Sequence, residues 1–248
     1  MDDYRRMAER ILRSTYVVAL TGAGISVESG IPDFRSAGGL WSKYDPLEFG
    51  YIESFRANPA KVWKMLAELD EVLSRAVPNP AHRALAELEQ RGVLKLIITQ
   101  NVDSLHQRAG NTKVVEFHGN NRTLRCDSCG QRFSRATVSL KSLPPRCHCG
   151  EALRPELVFF GEPIPGEAFH QAIAAAEKCD LMLIVGTSAS VAPASQIPRV
   201  AKRKGAFLLE INPKASELSY HLTDFRIAEP AGIALPGILA ALDESDHF

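Results

Sequence analysis

Residues 16–26 read Tyr16-Val17-Val18-Ala19-Leu20-Thr21-Gly22-Ala23-Gly24-Ile25-Ser26, an apolar run that passes directly into two glycines. The run lacks the alternation of a half-exposed strand, so it predicts a strand buried on both faces of a sheet. Two glycines after such a strand allow a tight turn in which the backbone can approach a pyrophosphate at the N-terminus of the next helix. Val27 stands where the third glycine of the usual fingerprint belongs. The motif alone therefore leaves an ordinary strand–helix turn as an equal alternative.

The same strand signal recurs along the chain and alternates with helical periodicity. Apolar runs occur at residues 94–98, 114–117, 181–185 and 206–211. Stretches with apolar residues at helical spacing occupy 3–13, 60–75, 80–91, 166–178, 193–204 and 233–243. Buried strands that alternate with helices predict a parallel sheet covered on both faces. The predicted fold class is therefore α/β, doubly wound.

The composition and charge of the chain argue against several classes of protein. The chain has 248 residues, 45% of them hydrophobic, and its 29 Lys and Arg balance its 29 Asp and Glu. This neutral, globular composition argues against a disordered chain and against a protein that coats nucleic acid or membrane. The apolar runs are far shorter than the roughly 20 residues that span a bilayer, and residues 1–6 are not typical of a secretory signal. We expect one large domain with an insertion, in the reducing cytoplasm.

Four of the five cysteines cluster in a segment that breaks the α/β rhythm. The spacing Cys126-x2-Cys129, then Cys147-x-Cys149, predicts one structural zinc ion held by four thiolates. Such a closed site leaves no position for a catalytic water. Each cysteine pair with its intervening residues forms a knuckle. The second knuckle, Cys147-x-Cys149, is one residue shorter than the usual Cys-x2-Cys and contains His148, so three cysteines plus His148 are an alternative ligand set. Cys179 lies outside the cluster and is predicted to be a buried apolar residue.

Small and polar residues follow several of the predicted strands. They are Thr99-Gln100-Asn101-Val102-Asp103, Phe117-His118-Gly119, Gly186-Thr187-Ser188 and Asn212. The carboxyl ends of parallel strands are where a sheet of this type opens its ligand crevice. A loop that is stiffened by a proline, Gly30-Ile31-Pro32-Asp33-Phe34-Arg35, adds an acid, an aromatic ring and a guanidinium. The sequence therefore predicts a binding site at this edge of the sheet.

As a set, these motifs closely resemble those of the sirtuin family of NAD-dependent protein lysine deacylases. The resemblance runs from about residue 10 to residue 215. It is carried by Gly22-Ala23-Gly24-Ile25-Ser26, Gly30-Ile31-Pro32-Asp33-Phe34-Arg35, Gln100-Asn101-Val102-Asp103, Phe117-His118-Gly119, the four cysteines, Val158-Phe159-Phe160-Gly161-Glu162 and Gly186-Thr187-Ser188.

The resemblance implies a division of the chain and a reaction. A Rossmann-like NAD-binding domain would comprise residues 1–34, 79–120 and 157–248, and a small domain would combine a helical and loop insertion at 35–78 with a zinc-binding module at 121–156. The acyl oxygen of an acyl-lysine would attack the anomeric carbon of the nicotinamide ribose, and a histidine would then act as base on a ribose hydroxyl. The products would be free lysine, nicotinamide and O-acyl-ADP-ribose, with acetyl the expected acyl group.

The resemblance also implies residue roles. His118 would be the general base, Asn101 would hold the reacting ribose or a water, and Asp103 would accept from the nicotinamide carboxamide. Phe34 would shield the ribose from water, and Val158 and Phe160 would line the acyl-lysine tunnel. The residues implied to bind NAD are Gly22, Ala23, Gly24, Ser26, Asp33, Phe34, Arg35, Gln100, Asn101, Asp103, Gly186, Thr187, Ser188 and Asn212. Those implied to bind the peptide substrate are Val102, Val158, Phe160, Gly161, Ser190 and Val191.

Two leucines affect which acyl group the site is expected to accept. Family members that prefer succinyl or malonyl groups carry a Tyr-x-x-Arg pair, and the matching positions here are Leu66 and Leu69. Without a partner, a buried acyl carboxylate would be costly, so acetyl or a longer neutral acyl group is expected. In an alternative interpretation, both leucines are helix core that faces away from the site. Two further departures from the family pattern are Ala189-Ser190, which is expected to loosen the cleft wall, and residues 228–232, where the adenine contacts at 229–232 are in doubt.

Two other functions remain as alternatives. The same fold could serve a protein ADP-ribosyltransferase or an NAD glycohydrolase. From another class, the zinc module could be a nucleic-acid-binding adaptor, because residues 121–156 carry seven Arg or Lys against three acids. The preferred interpretation is an enzyme that acts on acyl-lysine proteins as a monomer, with no dedicated binding of nucleic acid and no membrane partner.

Overall fold

The computed structural model describes residues 2–33 and 39–245. Within these residues, six parallel strands form the central sheet: β1 (Val17–Thr21), β2 (Leu94–Thr99), β3 (Val114–Glu116), β7 (Leu181–Val185), β8 (Phe207–Ile211) and β9 (Phe225–Ile227). They are arranged in the order β3-β2-β1-β7-β8-β9. The chain winds outward in one direction from β1 and then returns to continue from β7, so the strand order reverses between these two neighbours. The prediction of a doubly wound sheet is confirmed.

Helices cover both faces of this sheet. On one face lie α1 (Asp2–Leu12), α6 (Pro80–Gln90) and α11 (Ala231–Ser245), and on the other lie α8 (Gly166–Lys178) and α9 (Ile197–Arg203). Successive residues of β1 alternate between the two cores: Val17 and Ala19 pack on the first face, and Val18 and Leu20 on the second. This double burial explains why the first four residues of β1 are all apolar. Cys179 is buried in the second core, as predicted.

A smaller antiparallel sheet lies beside the central one. It contains β4 (Gly119–Cys126), β5 (Arg132–Ser134) and β6 (Leu153–Leu157) in the order β5-β4-β6. The small sheet packs against the helical segment α2 (Leu40–Lys43), α3 (Pro46–Phe49), α4 (Ile52–Ala57) and α5 (Pro59–Arg75). The indole nitrogen of the fully buried Trp63 donates to the carbonyl oxygen of Leu153 at 2.7 Å. One apolar cluster thus joins two segments that are far apart along the chain.

The remaining helices are short: α7 (Leu105–Ala109) and α10 (Glu217–His221). The sequence did not predict β9, because three residues at a sheet edge are too few to show a periodicity. The expected helix at 193–204 begins as a 3-10 turn at Ala194–Gln196, and its α-helical part starts at Ile197. Among the described residues, no helix combines the length and apolarity needed to cross a membrane.

Candidate active site

Two glycine loops meet at the point where the strand order reverses. Gly24 N donates to the carbonyl oxygen of Gly186 at 2.8 Å. A Cβ at Gly24 would lie 2.7 Å from Gly186 Cα, and a Cβ at Gly186 would lie 2.3 Å from Ile25 N. Gly186 also has a φ of +58°, a conformation that side chains disfavour. The loops after β1 and β7 can therefore touch only because neither carries a side chain there.

The segment after the first glycine loop differs from the usual dinucleotide-binding fold. Residues Ala23–Ser29 form a 3-10 helix that ends at Gly30, which has a φ of 84°. Val27, at the position of the missing third glycine, is 47% exposed. The valine is tolerated because this short helix does not pack closely on the sheet at that point.

Buried polar side chains connect the ends of β1, β2 and β7. Asn101 Nδ2 donates to the Gly22 carbonyl oxygen and to Ser26 Oγ, both at 3.1 Å. Ser26 Oγ in turn donates to Asp103 Oδ2 at 2.7 Å. Gln100 Nε2 donates to Thr187 Oγ1 at 3.0 Å, which reaches across to the loop after β7. Burial raises the pKa of the Asp103 carboxyl, which the hydrogen bonds from Leu105 N and Ser26 partly oppose.

His118 follows β3 and is half-buried at the same edge of the sheet. Its Nδ1 lies 3.1 Å from the Gln100 carbonyl oxygen. Burial lowers the pKa of the His118 imidazole, while the hydrogen bond with Gln100 opposes that effect. The site therefore favours a neutral imidazole, the form that can act as a base.

A cavity of about 550 Å³ brings most of the predicted residues together, a volume within the range of small-molecule sites. Its lining includes Gly22, Ala23, Gly24, Asp33, Gln100, Asn101, Val102, His118, Val158, Phe160, Gly161, Gly186, Thr187, Ser188, Val191 and Asn212. Ser26 and Asp103 instead line a smaller cavity of about 200 Å³, which shares Ala23, Asn101 and Val102 with the large one. Phe34 and Arg35 lie outside the described residues.

Other predicted positions have different surroundings. Ser190 Oγ is hydrogen-bonded to Ser188 Oγ at 2.8 Å. Ala189 packs into the core on the α8 and α9 face, and the looser cleft wall expected at Ala189-Ser190 stays a prediction. In the 228–232 segment, Tyr4 of α1 donates a hydrogen bond to Glu229, and Gly232 N donates to Glu28. Both contacts tie that segment to neighbouring elements of the fold.

One wall of the large cavity is apolar. Val158 N donates to the His118 carbonyl oxygen at 3.0 Å, so the segment that carries Val158 and Phe160 begins beside the histidine. Leu66 and Leu69 of α5 are buried and line the same cavity, and the interpretation in which they face away from the site is therefore wrong. Met65, Leu157, Ile164 and Lys214 also line the cavity, but nothing in the sequence motifs pointed to them.

The four predicted thiols converge between the ends of β4 and β6. The sulfur atoms of Cys126, Cys129, Cys147 and Cys149 all lie within 4.8 Å of one another. Cys126 Sγ lies 3.5 Å from Cys149 Sγ, and Cys129 Sγ lies 3.5 Å from Cys147 Sγ. This donor set suits a structural zinc ion, which prefers four tetrahedral thiolates. The ring of His148 packs on Phe133, with centroids 5.6 Å apart, and the alternative ligand set is not favoured.

The arginines of this module are largely used within the protein. Arg125 pairs with Asp127, Arg132 with Glu156, and Arg135 with Asp70 of α5. Arg122 pairs with Glu116. Asp70 and Glu116 lie outside the module, as does Glu162, which pairs with Arg154. Three acids from the rest of the protein thus pair with the module's arginines and offset three of the four excess positive charges on which the nucleic-acid-binding alternative depended.

A doubly wound sheet with a glycine-lined crevice at its switch point is typical of proteins that bind nucleotides. The histidine at this crevice is a candidate base, and the adjoining four thiols could hold a structural metal ion. The profile of the Sir2 family matches residues 22–193. The chain is 43% identical to the NAD-dependent protein deacylase 1 of Archaeoglobus fulgidus, and the match covers 92% of this chain and 93% of that protein. The chain therefore belongs to the Sir2 family, as the sequence motifs predicted.

Solved structures agree with this membership. A mutant Sir2 homologue in complex with ADP-ribose superposes with a TM-score of 0.94 at 40% identity, covering 98% of both chains. A Sir2 protein in complex with a p53 peptide and NAD+ superposes with a TM-score of 0.87 at 32% identity, again covering 98% of both chains. The Rossmann-like fold that the resemblance implied is thus confirmed, and the structure shows in addition that the smaller module contains a three-stranded sheet.

Proposed function

We propose that the large cavity binds NAD and an acyl-lysine side chain together, and that His118 is the general base of the reaction. The chain is an NAD-dependent protein lysine deacylase, because family membership and the named activities of its relatives agree. The observation that carries the residue assignment is the shared lining of one cavity. His118, the glycine loops and the apolar Val158 and Phe160 all contribute to it.

The glycine loops and the strand ends are suited to NAD. Gly22, Gly24 and Gly186 let the loops after β1 and β7 come together at the switch point, where a pyrophosphate would bind in a sheet of this type. The Asn101, Ser26 and Asp103 network adjoins the smaller cavity, which could take the nicotinamide end. Bound NAD would supply an anomeric carbon that becomes electrophilic as nicotinamide leaves.

The chain's own residues would orient the partners and move a proton. Asn101 is fixed by Gly22 and Ser26, so its amide is positioned before a ligand binds. His118 would take a proton at its ring nitrogen from a ribose hydroxyl. The apolar Val158 and Phe160 would surround the lysine stem and exclude water. Gly161 and the Ser190–Val191 segment would pair with the substrate backbone as an added strand.

The small domain would close this cleft. We propose that it comprises residues 35–78 and 121–156, with residues 1–34, 79–120 and 157–248 as the NAD-binding domain. The apolar cluster shared by α4, α5 and the small sheet supports this division, because it is separate from the two cores of the central sheet. The four cysteines would hold one zinc ion that stabilises the small sheet and supplies no catalytic chemistry.

Mass spectrometry of an acyl-peptide panel with NAD would test this function. Wild-type protein should release nicotinamide and O-acyl-ADP-ribose only when both NAD and an acyl-peptide are present. His118→Ala should lose about 10²- to 10⁴-fold in turnover, the usual contribution of a general base. His170→Ala, at an exposed histidine on α8, serves as the matched control. Deacylation without NAD, or nicotinamide release that needs no peptide, would refute the assignment.

The cellular setting remains a prediction. We propose that the protein acts in the cytoplasm on acyl-lysine proteins as a monomer, without dedicated binding of nucleic acid. The equal numbers of basic and acidic residues support the last point. Light scattering on the purified protein would show a single chain mass if the monomer proposal is correct.

A further inference from the structure

A buried arginine lies between the metal module and the segment proposed to bind the peptide. Arg154 is the second residue of the small sheet's strand β6, and only 1% of its side chain is exposed. A buried guanidinium needs a charge partner and enough acceptors for its donors. The partners of Arg154 therefore show which parts of the protein it holds together.

The principal partner is Glu162, at the end of the Val158–Glu162 segment. Arg154 Nη1 and Nη2 each donate to one carboxylate oxygen of Glu162, both at 2.6 Å. Nη2 also donates to the Leu157 carbonyl oxygen at 2.8 Å, and Nε donates to the Pro155 carbonyl oxygen at 3.3 Å. This two-pronged geometry is specific to arginine, because a lysine ammonium cannot present two parallel donors.

The carboxylate of Glu162 also forms a hydrogen bond within the Val158–Glu162 segment. Glu162 Oε2 accepts from Phe159 N at 3.0 Å, and Glu162 N donates to the Phe159 carbonyl oxygen at 3.1 Å. The guanidinium carbon of Arg154 lies 4.8 Å from the centre of the Phe159 ring. Phe160 and Gly161 lie between these contacts and are therefore held in a turn. Arg154 stabilises this turn through its hydrogen bonds to Glu162.

Arg154 also contacts the first cysteine knuckle, residues 126–129. Arg154 Nη1 lies 3.5 Å from Oδ2 of Asp127, which stands between Cys126 and Cys129. Asp127 pairs in addition with Arg125, whose Nη2 lies 3.8 Å from Glu162. A continuous network of charged groups thus connects the knuckle to the Val158–Glu162 segment.

We propose that Arg154 is a positioning residue for the substrate peptide: its bidentate pair with Glu162 sets the conformation of residues 158–162, and its contact with Asp127 anchors that conformation to the metal module. The proposal rests on the placement of the acyl-lysine peptide beside residues 158–162. Arg154 touches neither NAD nor the reacting atoms in this arrangement, so its loss should affect peptide binding selectively.

The test compares Arg154→Lys with Arg132→Lys. Arg132 forms a single ion pair with Glu156 in the same small sheet, but its side chain is 71% exposed and the pair does not involve residues 158–162. Arg154→Lys should raise the KM for an acetyl-peptide by about ten- to a hundredfold, the range expected for a misplaced binding segment. The dissociation constant for NAD, measured by calorimetry, and the zinc content should stay within about twofold of wild type.

Hydrogen exchange provides a second readout. The amide of Phe159 should exchange faster in Arg154→Lys, because its acceptor on Glu162 is no longer held. Glu162→Gln removes the charge from the other side of the pair and should raise the peptide KM in the same way. This variant keeps the proposal testable if Arg154→Lys does not fold. The proposal is overturned if the peptide KM stays within twofold of wild type, if NAD affinity falls in parallel, or if Arg132→Lys has the same effect.

A Phe160→Ala variant separates this proposal from the function on which it rests. If Phe160→Ala leaves kcat/KM for the acetyl-peptide unchanged, the peptide does not bind beside residues 158–162 and the site assignment is wrong. If Phe160→Ala lowers kcat/KM but Arg154→Lys does not raise the peptide KM, the site assignment stands and the positioning role of Arg154 is wrong.

Discussion

His118 Nδ1 lies 3.1 Å from the backbone carbonyl oxygen of Gln100, the residue that follows the neighbouring strand β2. A carbonyl oxygen can only accept a hydrogen bond, so Nδ1 must carry the proton. The other ring nitrogen, Nε2, is then left with a free lone pair. The parallel pairing of β2 and β3 therefore selects the tautomer that can accept a proton from a substrate.

The pH dependence of activity should reflect the burial of His118. Burial lowers the pKa of its imidazole from the ordinary value of 6.5, so the neutral base persists to more acidic pH. Activity should be lost only as the pH falls through this lowered pKa. The acidic limb of kcat/KM for an acetyl-peptide, which reports the free enzyme, should have its midpoint below pH 6.5. A midpoint above 6.5 at constant zinc content would contradict the assignment.

The metal ligands can be distinguished by substitution. Cys149→Ser should lower the bound zinc well below one ion per chain and lower the melting temperature, because the small sheet depends on the metal. His148→Ala should retain full zinc, since the four sulfur atoms already converge within 4.8 Å. Elemental analysis measures the zinc content of both purified variants, and thermal unfolding measures the melting temperature. Loss of zinc in His148→Ala with retention in Cys149→Ser would instead support the ligand set with His148.

The acyl preference should depend on two leucines of α5. Leu66 and Leu69 line the cavity and present no polar group to an acyl carboxylate. The double variant Leu66→Tyr with Leu69→Arg should raise the ratio of desuccinylation to deacetylation, as kcat/KM, by at least about tenfold, because a guanidinium and a hydroxyl can then pair with the carboxylate. Leu66→Tyr alone, which lacks the cation, is the control. An unchanged ratio in a folded double variant would show that the acyl end does not reach α5.

A buried histidine pair should make the protein sensitive to acid. The rings of His82 and His106 lie 5.0 Å apart beneath the glycine loop, and burial lowers the pKa of His82 from 6.5 to about 4. Burial and the neighbouring His82 likewise lower the pKa of His106. The unfolded chain takes up protons below pH 6.5, whereas folded His82 does not until about pH 4. The free energy of unfolding should therefore fall as the pH decreases across this interval.

His82→Gln should reduce this decrease in the free energy of unfolding by on the order of 3 kcal/mol, which corresponds to the pKa shift of His82. Urea unfolding at a series of pH values measures the slope, and the slope is informative even if the variant is less stable at every pH. His170→Gln, at an exposed histidine, should leave the slope unchanged. Parallel curves for His82→Gln and wild type would show that the pKa of His82 is the same in the folded and unfolded protein.

Long apolar strands and close-spaced cysteines were predictable because their signals are local. β1, β2, β7 and β8 are largely buried on both faces and therefore mainly apolar, which is visible in any short window of sequence. The three-residue β9 shows no such signal. The predicted binding residues came from motifs at strand ends, and the cavity unites most of them. Met65, Leu157 and Lys214 were missed because they reach the cavity only through the packing of α5, β6 and the loop after β8.

By itself, the sequence determined the α/β fold class, the four-cysteine module and the family, since each of these depends on residue types at fixed spacing along the chain. Only the tertiary structure decided the tautomer of His118, the exposure of Leu66 and Leu69 to the cavity, and the pairing of Arg154 with both Glu162 and Asp127. These features depend on distances between atoms of different elements. Such distances are set when the elements pack against one another, and no local pattern of residues records them.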